Sequence, residues 1–153
     1  MAFYLIGLKS ENVSGIFFRN HLRQWWPLWD YAYSSCPDIL TRQDYAGVRH
    51  HDFHIIDGAR ARKIGTRLSE MAETGVVKQE EQEFRAMLEM LPMEKCILCN
   101  GTGFRDPETG GIACRACDGK GEQKNCLCNY IFDENNVIRF AEFCKSSGGF
   151  KFG

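Results

Sequence analysis

The sequence lacks a strong net charge and any long apolar run. Its 153 residues include 19 basic and 20 acidic side chains, so the formal net charge of −1 excludes a whole-chain attraction to polyanions. No apolar run approaches the roughly 18 residues that a membrane span needs. The first residues, Met-Ala-Phe-Tyr-Leu-Ile-Gly-Leu-Lys, also lack the basic start, long apolar core and cleavage site of a secretory signal. We therefore expect a folded protein in the cytoplasm, where thiols stay reduced.

The motifs of common enzyme classes are missing as well. The chain has no Gly-rich phosphate loop, no Ser-centred nucleophile elbow and no recognisable pair of catalytic carboxylates. Gly101 and Gly103 do not form a dinucleotide fingerprint, because no strand and helix flank them in the required order. We therefore predict that the protein is not an enzyme.

What the sequence does have is enough apolar material for a core and clear helical periodicity. A stripe of apolar residues from Trp25 to Cys36 predicts a helix, and Pro37 ends it. The helix should begin around residues 24–26, because Pro27 is tolerated in the first turn of a helix. Asp57 as N-cap and Gly75 just past the end predict a second helix over residues 58–74.

Weaker signals complete the predicted fold. Thr41 caps a short turn that Gly47 ends. A helix over about 78–91 has its apolar side chains on one face, at Phe84, Met87, Leu88 and Leu91. Further apolar patterns predict a helix around residues 137–144, a strand or extended arm at 3–8 and 15–18, and a brief strand at 150–152. The fold class is α+β and mainly helical: a body over residues 1–92, an inserted zinc ribbon over 93–129, and a C-terminal helix and tail over 130–153 that pack back on the body.

The strongest chemical signal is a repeated cysteine frame. Six of the eight cysteines lie between Cys96 and Cys128, and two segments, residues 96–103 and 114–121, share the pattern Cys-x-x-Cys-x-Gly-x-Gly. Two thiolates on a tight turn can hold one side of a zinc ion, and the glycines allow the backbone to turn beyond each pair. The four predicted ligands are Cys96, Cys99, Cys114 and Cys117. They form a closed site, which indicates one structural Zn²⁺, with iron in a rubredoxin-like site as the competing interpretation.

This repeat resembles the cysteine-rich region of DnaJ-type co-chaperones over residues 96–121. Proteins of that type usually carry four repeats around two zinc ions, so two repeats imply one zinc. The His-Pro-Asp signature of their J-domain has no counterpart here, and the co-chaperone activity is not implied. The motif is also similar to that of small single-zinc regulators of phage and bacillus type that block the binding surfaces of other proteins. The segment from Phe17 to Trp29 resembles small bacterial and phage proteins and implies no activity.

The other four cysteines receive separate interpretations. Cys36 and Cys144 continue apolar helix stripes, which indicates core positions. For Cys126 and Cys128, three alternatives remain open: the pair replaces one half of the zinc site, binds a second ion with a histidine, or is packed without metal, which we favour.

The histidine cluster gives an enzymatic alternative. His50, His51 and His54 suit a metal-dependent or acid–base site, but they precede a helix cap and lack the glutamate of a zinc-protease motif. We favour a surface loop.

Two surface features bear on partners. Arg60, Lys63 and Arg67 form a basic stripe on one helix, and Trp26 points away from its neighbouring indoles. Together with Arg105 and Arg115 of the ribbon, these residues are the predicted partner-binding set. Four thiolates on one Zn²⁺ add about two negative charges to the ribbon. We therefore predict a non-enzymatic zinc protein that binds another protein through the ribbon and its loop over residues 104–112, as a regulator or phage-type inhibitor. A nucleic-acid binder that uses the basic stripe is the alternative.

Overall fold

The computed structural model describes residues 2–50, 54–106 and 111–153, without the side chains of residues 49 and 50. The chain divides into two compact units. The first joins Met1–Arg85 to Tyr130–Gly153, and the second is Ala86–Asn129. Five helices and eight short strands in the described residues confirm the predicted α+β class. None of the helices in the described part of the chain is both long and apolar enough to cross a bilayer.

A four-stranded antiparallel sheet forms one layer of the first unit. Its strands are β1 (Ala2–Gly7), β2 (Phe17–His21), β3 (Ile55–Asp57) and β8 (Gly149–Phe152), in the order β2-β1-β8-β3. The C-terminal strand therefore lies between two strands from the first 60 residues. The sequence predicts a strand or extended arm at the first two of these places and a strand at the last, whereas β3 is not predicted.

Helices form the second layer of this unit and bury one face of the sheet. They are α1 (Leu22–Ser35), α2 (Arg42–His50), α3 (Gly58–Glu73), the first part of α4 (Val76–Glu89) and α5 (Glu134–Ser146). The rings of Phe3 and Trp25 stack with centroids 4.3 Å apart, and Phe18 lies 5.3 Å from Phe140. Cys36 and Cys144 are both buried in this core, as predicted.

The helix α1 begins earlier than the sequence indicates. Its first residue is Leu22, so Pro27 lies inside the helix and cannot donate to the carbonyl of Arg23. The N–H of Ile131 donates to that oxygen at 3.0 Å instead. A residue from far along the chain thus satisfies the group that proline leaves unpaired, which explains why the predicted start at residues 24–26 is too late.

Two other helix predictions need correction. Helix α2 continues through Gly47 to His50, and the Oγ1 of Thr41 caps it by accepting from the N–H of Asp44 at 3.1 Å. In α4 the buried positions are Val77 and Glu81, whereas Met87 is 48% exposed. The buried face of α4 includes Glu81, four residues after Val77, and Lys78 pairs with its carboxylate at 2.7 Å. Because Glu81 is charged, an apolar periodicity does not identify this face as the buried one.

After the end of α4, the described residues of the second unit form turns and two-stranded pairs. Strand β4 (Glu94–Lys95) pairs with β7 (Glu122–Gln123), and β5 (Phe104–Arg105) pairs with β6 (Ile112–Ala113). A 3₁₀ helix, Cys126–Asn129, ends the unit. The four cysteines of the repeated frame are buried together here and form a cluster of their own.

Candidate metal centre

Each cysteine repeat folds into the same tight turn. The residues after the second cysteine of each repeat have left-handed backbone angles. In the first repeat φ is 52° at Asn100 and 85° at Gly101, and in the second it is 50° at Asp118 and 76° at Gly119. Glycine and asparagine or aspartate are the residues that tolerate this conformation. The Cys-x-x-Cys-x-Gly-x-Gly pattern thus supplies the backbone that turns both sulfur atoms of a repeat inward.

The two turns bring four sulfur atoms together. The Sγ atoms of Cys96 and Cys114 lie 3.9 Å apart, and those of Cys99 and Cys117 lie 3.8 Å apart. All four lie within 4.8 Å of one another and are buried. Zinc–sulfur bonds of about 2.3 Å in a tetrahedron place sulfur atoms about 3.8 Å apart. The cluster can therefore hold a metal ion of that size with little change.

Backbone N–H groups support negative charge on two of the sulfur atoms. Gly103 N–H donates to Cys99 Sγ at 3.3 Å, and Gly121 N–H donates to Cys117 Sγ at 3.2 Å. Burial opposes ionisation of Cys99, but the N–H groups of Gly103 and Gly101 and two neighbouring thiols lower its pKa to about 6. Burial raises the pKa of Cys117 to about 11. A bound metal requires all four thiolates, so binding would release protons from the site.

Backbone hydrogen bonds connect the two repeats to each other. The N–H of Cys114 donates to the carbonyl of Gly103, and the N–H of Cys96 donates to the carbonyl of Gly121, both at 2.8 Å. A Cβ added at Gly103 would lie 2.4 Å from the carbonyl oxygen of Gly119. Each repeat therefore depends on the other for its geometry, and the four cysteines together could hold one metal ion between the repeats.

The remaining cysteines of the second unit lie outside this cluster. Among the described residues, the group able to hold a metal contains only the four cysteines above. Cys126 is exposed, and the thiol of Cys128 donates to the carbonyl of Leu88 at 3.5 Å. With four buried sulfur ligands, the cluster has the composition of a closed structural site.

Large apolar side chains project from the surface around the first cysteine repeat. Ile97 is 78% exposed and Leu98 is 62% exposed, and both lie between the two cysteines of that repeat. Phe104 follows on β5 at 46% and faces Ala113 across the strand pair. An open groove of about 580 Å³ lies beside them, lined by Leu98, Cys99, Asn100, Thr102, Phe104, Arg105 and Asp106.

The predicted arginines of the ribbon lie near this surface or on the second repeat. Arg105 is exposed and lines the groove, and Arg115 is exposed between Cys114 and Cys117. The predicted loop over residues 104–112 is described only at its ends, because residues 107–110 lie outside the described residues.

Two of the three residues of the basic stripe on α3, Arg60 and Arg67, form ion pairs within the first unit. Arg60 pairs with Asp44 and donates to the carbonyl of Ile39 at 2.8 Å. Arg67 pairs with Asp38, donating to it at 2.9 Å through a second nitrogen. Lys63 is exposed beside them. The two arginines therefore connect α3 to residues 38–44, which follow α1. Because acidic side chains already pair with them, the prediction that the stripe binds phosphate is weakened.

Trp26 is half-buried and packs against the core. The centroid of its ring lies 6.5 Å from that of the Phe3 ring, so its indole is less exposed than the sequence suggests.

Of the three histidines in the cluster, His54 is the one whose side chain the structure describes. Its Nε2 lies 2.5 Å from Oδ1 of Asp44. The side chain of His50 and all of His51 lie outside the described residues.

The thiol of Cys36, the residue that follows α1, is not reactive. Cys36 is fully buried, and burial raises the pKa of its thiol to about 11. A protonated, inaccessible thiol is a poor nucleophile.

Sequence reasoning missed the buried carboxylate of Asp44. It accepts from the N–H of Thr41 at 2.6 Å and from its hydroxyl at 2.8 Å, besides its contacts with Arg60 and His54. The signal was available, because a Thr followed three residues later by an acid is a capping pattern. Its buried setting came from tertiary packing and was not visible in the sequence.

Comparison with protein-family models, curated proteins and solved structures finds no match to the chain. The resemblance to the DnaJ-type cysteine-rich region therefore depends on the repeated motif alone, and the geometry of the four sulfur atoms agrees with it.

Proposed function

We propose that the protein binds one structural Zn²⁺ through Cys96, Cys99, Cys114 and Cys117, and that the ordered ribbon binds an apolar peptide segment of another protein. The observation that carries the proposal is the pairing of a closed four-sulfur site with exposed apolar side chains on the same turn. The site leaves no open coordination position for a substrate, so the metal acts by fixing the ribbon. On this proposal the protein is an interaction protein rather than an enzyme.

The ribbon surface suits a protein ligand better than a nucleic acid. Ile97, Leu98 and Phe104 offer apolar area that water solvates poorly, and contiguous exposed apolar groups mark interaction sites. Arg105 at the groove can pair with an acidic side chain of the ligand. A zinc ion with four thiolates carries about two negative charges, which repel phosphate. A peptide with apolar side chains and an acidic residue is the matching ligand.

Metal analysis tests the first part. Protein purified without added metal should contain about one zinc per chain, and the double variant Cys96→Ser, Cys99→Ser should contain none. Iron in place of zinc would show as the visible absorption of a four-thiolate iron site and would correct the identity of the metal. A wild-type protein that retains neither ion on dialysis against a weak chelator contradicts the proposal.

Peptide binding tests the second part. An array of immobilised peptides with varied apolar and acidic content is probed with the wild type and with Leu98→Asp. The control is Val13→Asp, because Val13 is 84% exposed and lies in the first unit. We expect Leu98→Asp to lose the apolar-acidic peptides, with zinc content unchanged, and Val13→Asp to retain them. Equal binding by all three proteins would refute the assignment of this surface.

A regulatory role of inhibitor type is a narrower form of the same proposal. The ribbon is short and rigid once metal is bound, and its apolar turn can cover a working surface on a partner. Competition between the zinc-loaded protein and that partner's own ligand distinguishes an inhibitor from an adaptor, since an adaptor binds without displacing it.

A further inference from the structure

The outer face of the four-stranded sheet carries an unusual set of side chains. Alternation along the strands sends Phe3, Leu5 and Phe18 to the helices and sends their neighbours outward. The register places Ile6 opposite both Phe17 and Lys151. The outer face so defined is Tyr4, Ile6, Phe17, Arg19, Ile55 and Lys151.

This outer face is apolar and aromatic where an exposed sheet face is usually polar. Phe17 is 48% exposed and Ile55 is 53% exposed. An antiparallel sheet with one solvated face normally alternates apolar residues inward with polar residues outward. The ring centroids of Tyr4 and Phe17 lie 5.3 Å apart, with an angle of 33° between their planes, so two aromatic rings are in contact on this face.

The charges on the outer face are mainly positive. The guanidinium of Arg19 lies 5.6 Å from the centre of the Tyr4 ring, which holds a flat cation on the aromatic surface. Lys151 lies in the next strand but one from Arg19, between Ile6 and Ile55. The acidic residue at the end of β3, Asp57, accepts from the N–H of Arg60 and caps α3. Aromatic rings and cations on one flat surface match a ligand that has both flat bases and phosphates.

Single-stranded nucleic acid is the ligand with that chemistry. In a duplex the faces of the bases are stacked on one another, so an exposed aromatic ring reaches one only if a base step is unstacked at a cost of a few kcal/mol. In a single strand the bases are free to stack on exposed aromatic rings, and the backbone follows the cations. We infer that the outer face of the sheet binds single-stranded nucleic acid, with a base stacked on Phe17 and phosphates at Arg19, which lies over the Tyr4 ring, and at Lys151.

This inference is independent of the ribbon. The residues that it uses all belong to the first unit. It assigns nucleic-acid binding to the sheet and not to the arginines of α3, which are paired with acidic side chains. The ribbon can fail as a peptide-binding surface without affecting the sheet, and the reverse also holds.

The test is fluorescence anisotropy with labelled ten-nucleotide dT and rU strands, and with a ten-base-pair duplex as a competitor. The variants are Phe17→Ala and Arg19→Gln, and the matched control is Phe104→Ala, because Phe104 has nearly the same exposure but lies on the ribbon. Circular dichroism and thermal melting of each variant show that it is folded.

We expect the wild type to bind the single strands in preference to the duplex. Phe17→Ala should weaken binding about tenfold, since one stacked base contributes about 1–3 kcal/mol and each 1.4 kcal/mol is a factor of ten. Arg19→Gln should lower the slope of log affinity against log salt by about 0.7. Phe104→Ala should bind as the wild type does.

Three results would overturn the inference. The first is no binding at 50 mM salt by the folded wild type, and the second is equal affinity for Phe17→Ala, Arg19→Gln and the wild type. The third is a dimer in sedimentation velocity that Phe17→Ala dissociates, without any oligonucleotide binding, because a second copy would then occupy the outer face.

Discussion

Alanine at Gly103 should greatly weaken metal binding, whereas alanine at Gly101 should weaken it only slightly. Both glycines have left-handed backbone angles, with φ of 79° and 85°. Their surroundings differ, because a Cβ at Gly103 would lie 2.4 Å from the carbonyl oxygen of Gly119, while at Gly101 the nearest contact is a flexible lysine side chain at 3.6 Å. The pair therefore separates backbone strain from a collision between the two repeats.

The expected magnitudes follow from these contacts. A left-handed angle costs an L-residue about 1 kcal/mol, so Gly101→Ala should reduce zinc affinity about fivefold. Gly103→Ala adds a collision with backbone that must move the donors of the site, and loss of the bond from Gly103 N–H to the Cys99 thiolate costs about 2 kcal/mol more. The combined loss of about 3 kcal/mol corresponds to about 150-fold in affinity.

Competition with a chromophoric chelator of known zinc affinity measures both effects. Gly75→Ala is the control, because Gly75 has a φ of 80° with nothing within 4 Å and lies in the first unit. It should leave zinc affinity unchanged. If Gly103→Ala and Gly101→Ala bind zinc equally well, the proposed contact between the repeats does not contribute to the site and the reasoning is wrong.

Three further predictions concern stability and metal dependence. A strong chelator should collapse the amide dispersion of residues 94–123 in NMR spectra and leave residues 2–50 unchanged; a uniform change would contradict separate units. Gly65→Ala should destabilise the protein by about 1–3 kcal/mol in urea, despite alanine's better helix propensity, because the new Cβ would lie 2.6 Å from the carbonyl oxygen of Ala141; increased stability would refute this. Burial opposes ionisation of Asp44, but bonds from Arg60, Thr41 and His54 hold its pKa well below the usual range, so the stability that it provides is complete above about pH 4 and is lost as pH falls further. The difference in unfolding free energy between the wild type and Asp44→Asn should therefore be about 3 kcal/mol at pH 7 and shrink from pH 4 to pH 2; a difference independent of pH would contradict this.

Local signals were sufficient where a few neighbouring residues determine the structure. Asp57 and Gly75 bound α3 as predicted, since a cap and a left-handed glycine act within one turn. The repeated cysteine frame likewise specifies its own turns, which is why the candidate metal centre could be predicted from spacing alone.

Distant contacts could not be predicted in this way. The start of α1 depends on an N–H from Ile131, and the buried setting of Asp44 depends on Arg60 and His54. The outer face of the sheet also has a signal in the sequence. Phe3-Tyr4-Leu5-Ile6 is apolar at every position, which is typical of a strand whose two faces both make contacts, but strand order and register were needed to show which residues share a face.

The position of β8 has a consequence for the order of events during synthesis. It lies between β1 and β3, so β3 has no hydrogen-bonded neighbour in the sheet until residues 149–152 have left the ribosome. The ribbon needs only residues 94–123 for its strand pairs and sulfur cluster, and domains generally fold as their segments emerge. The second unit can therefore fold on the nascent chain first, whereas the sheet of the first unit is complete only after β8 has been synthesised.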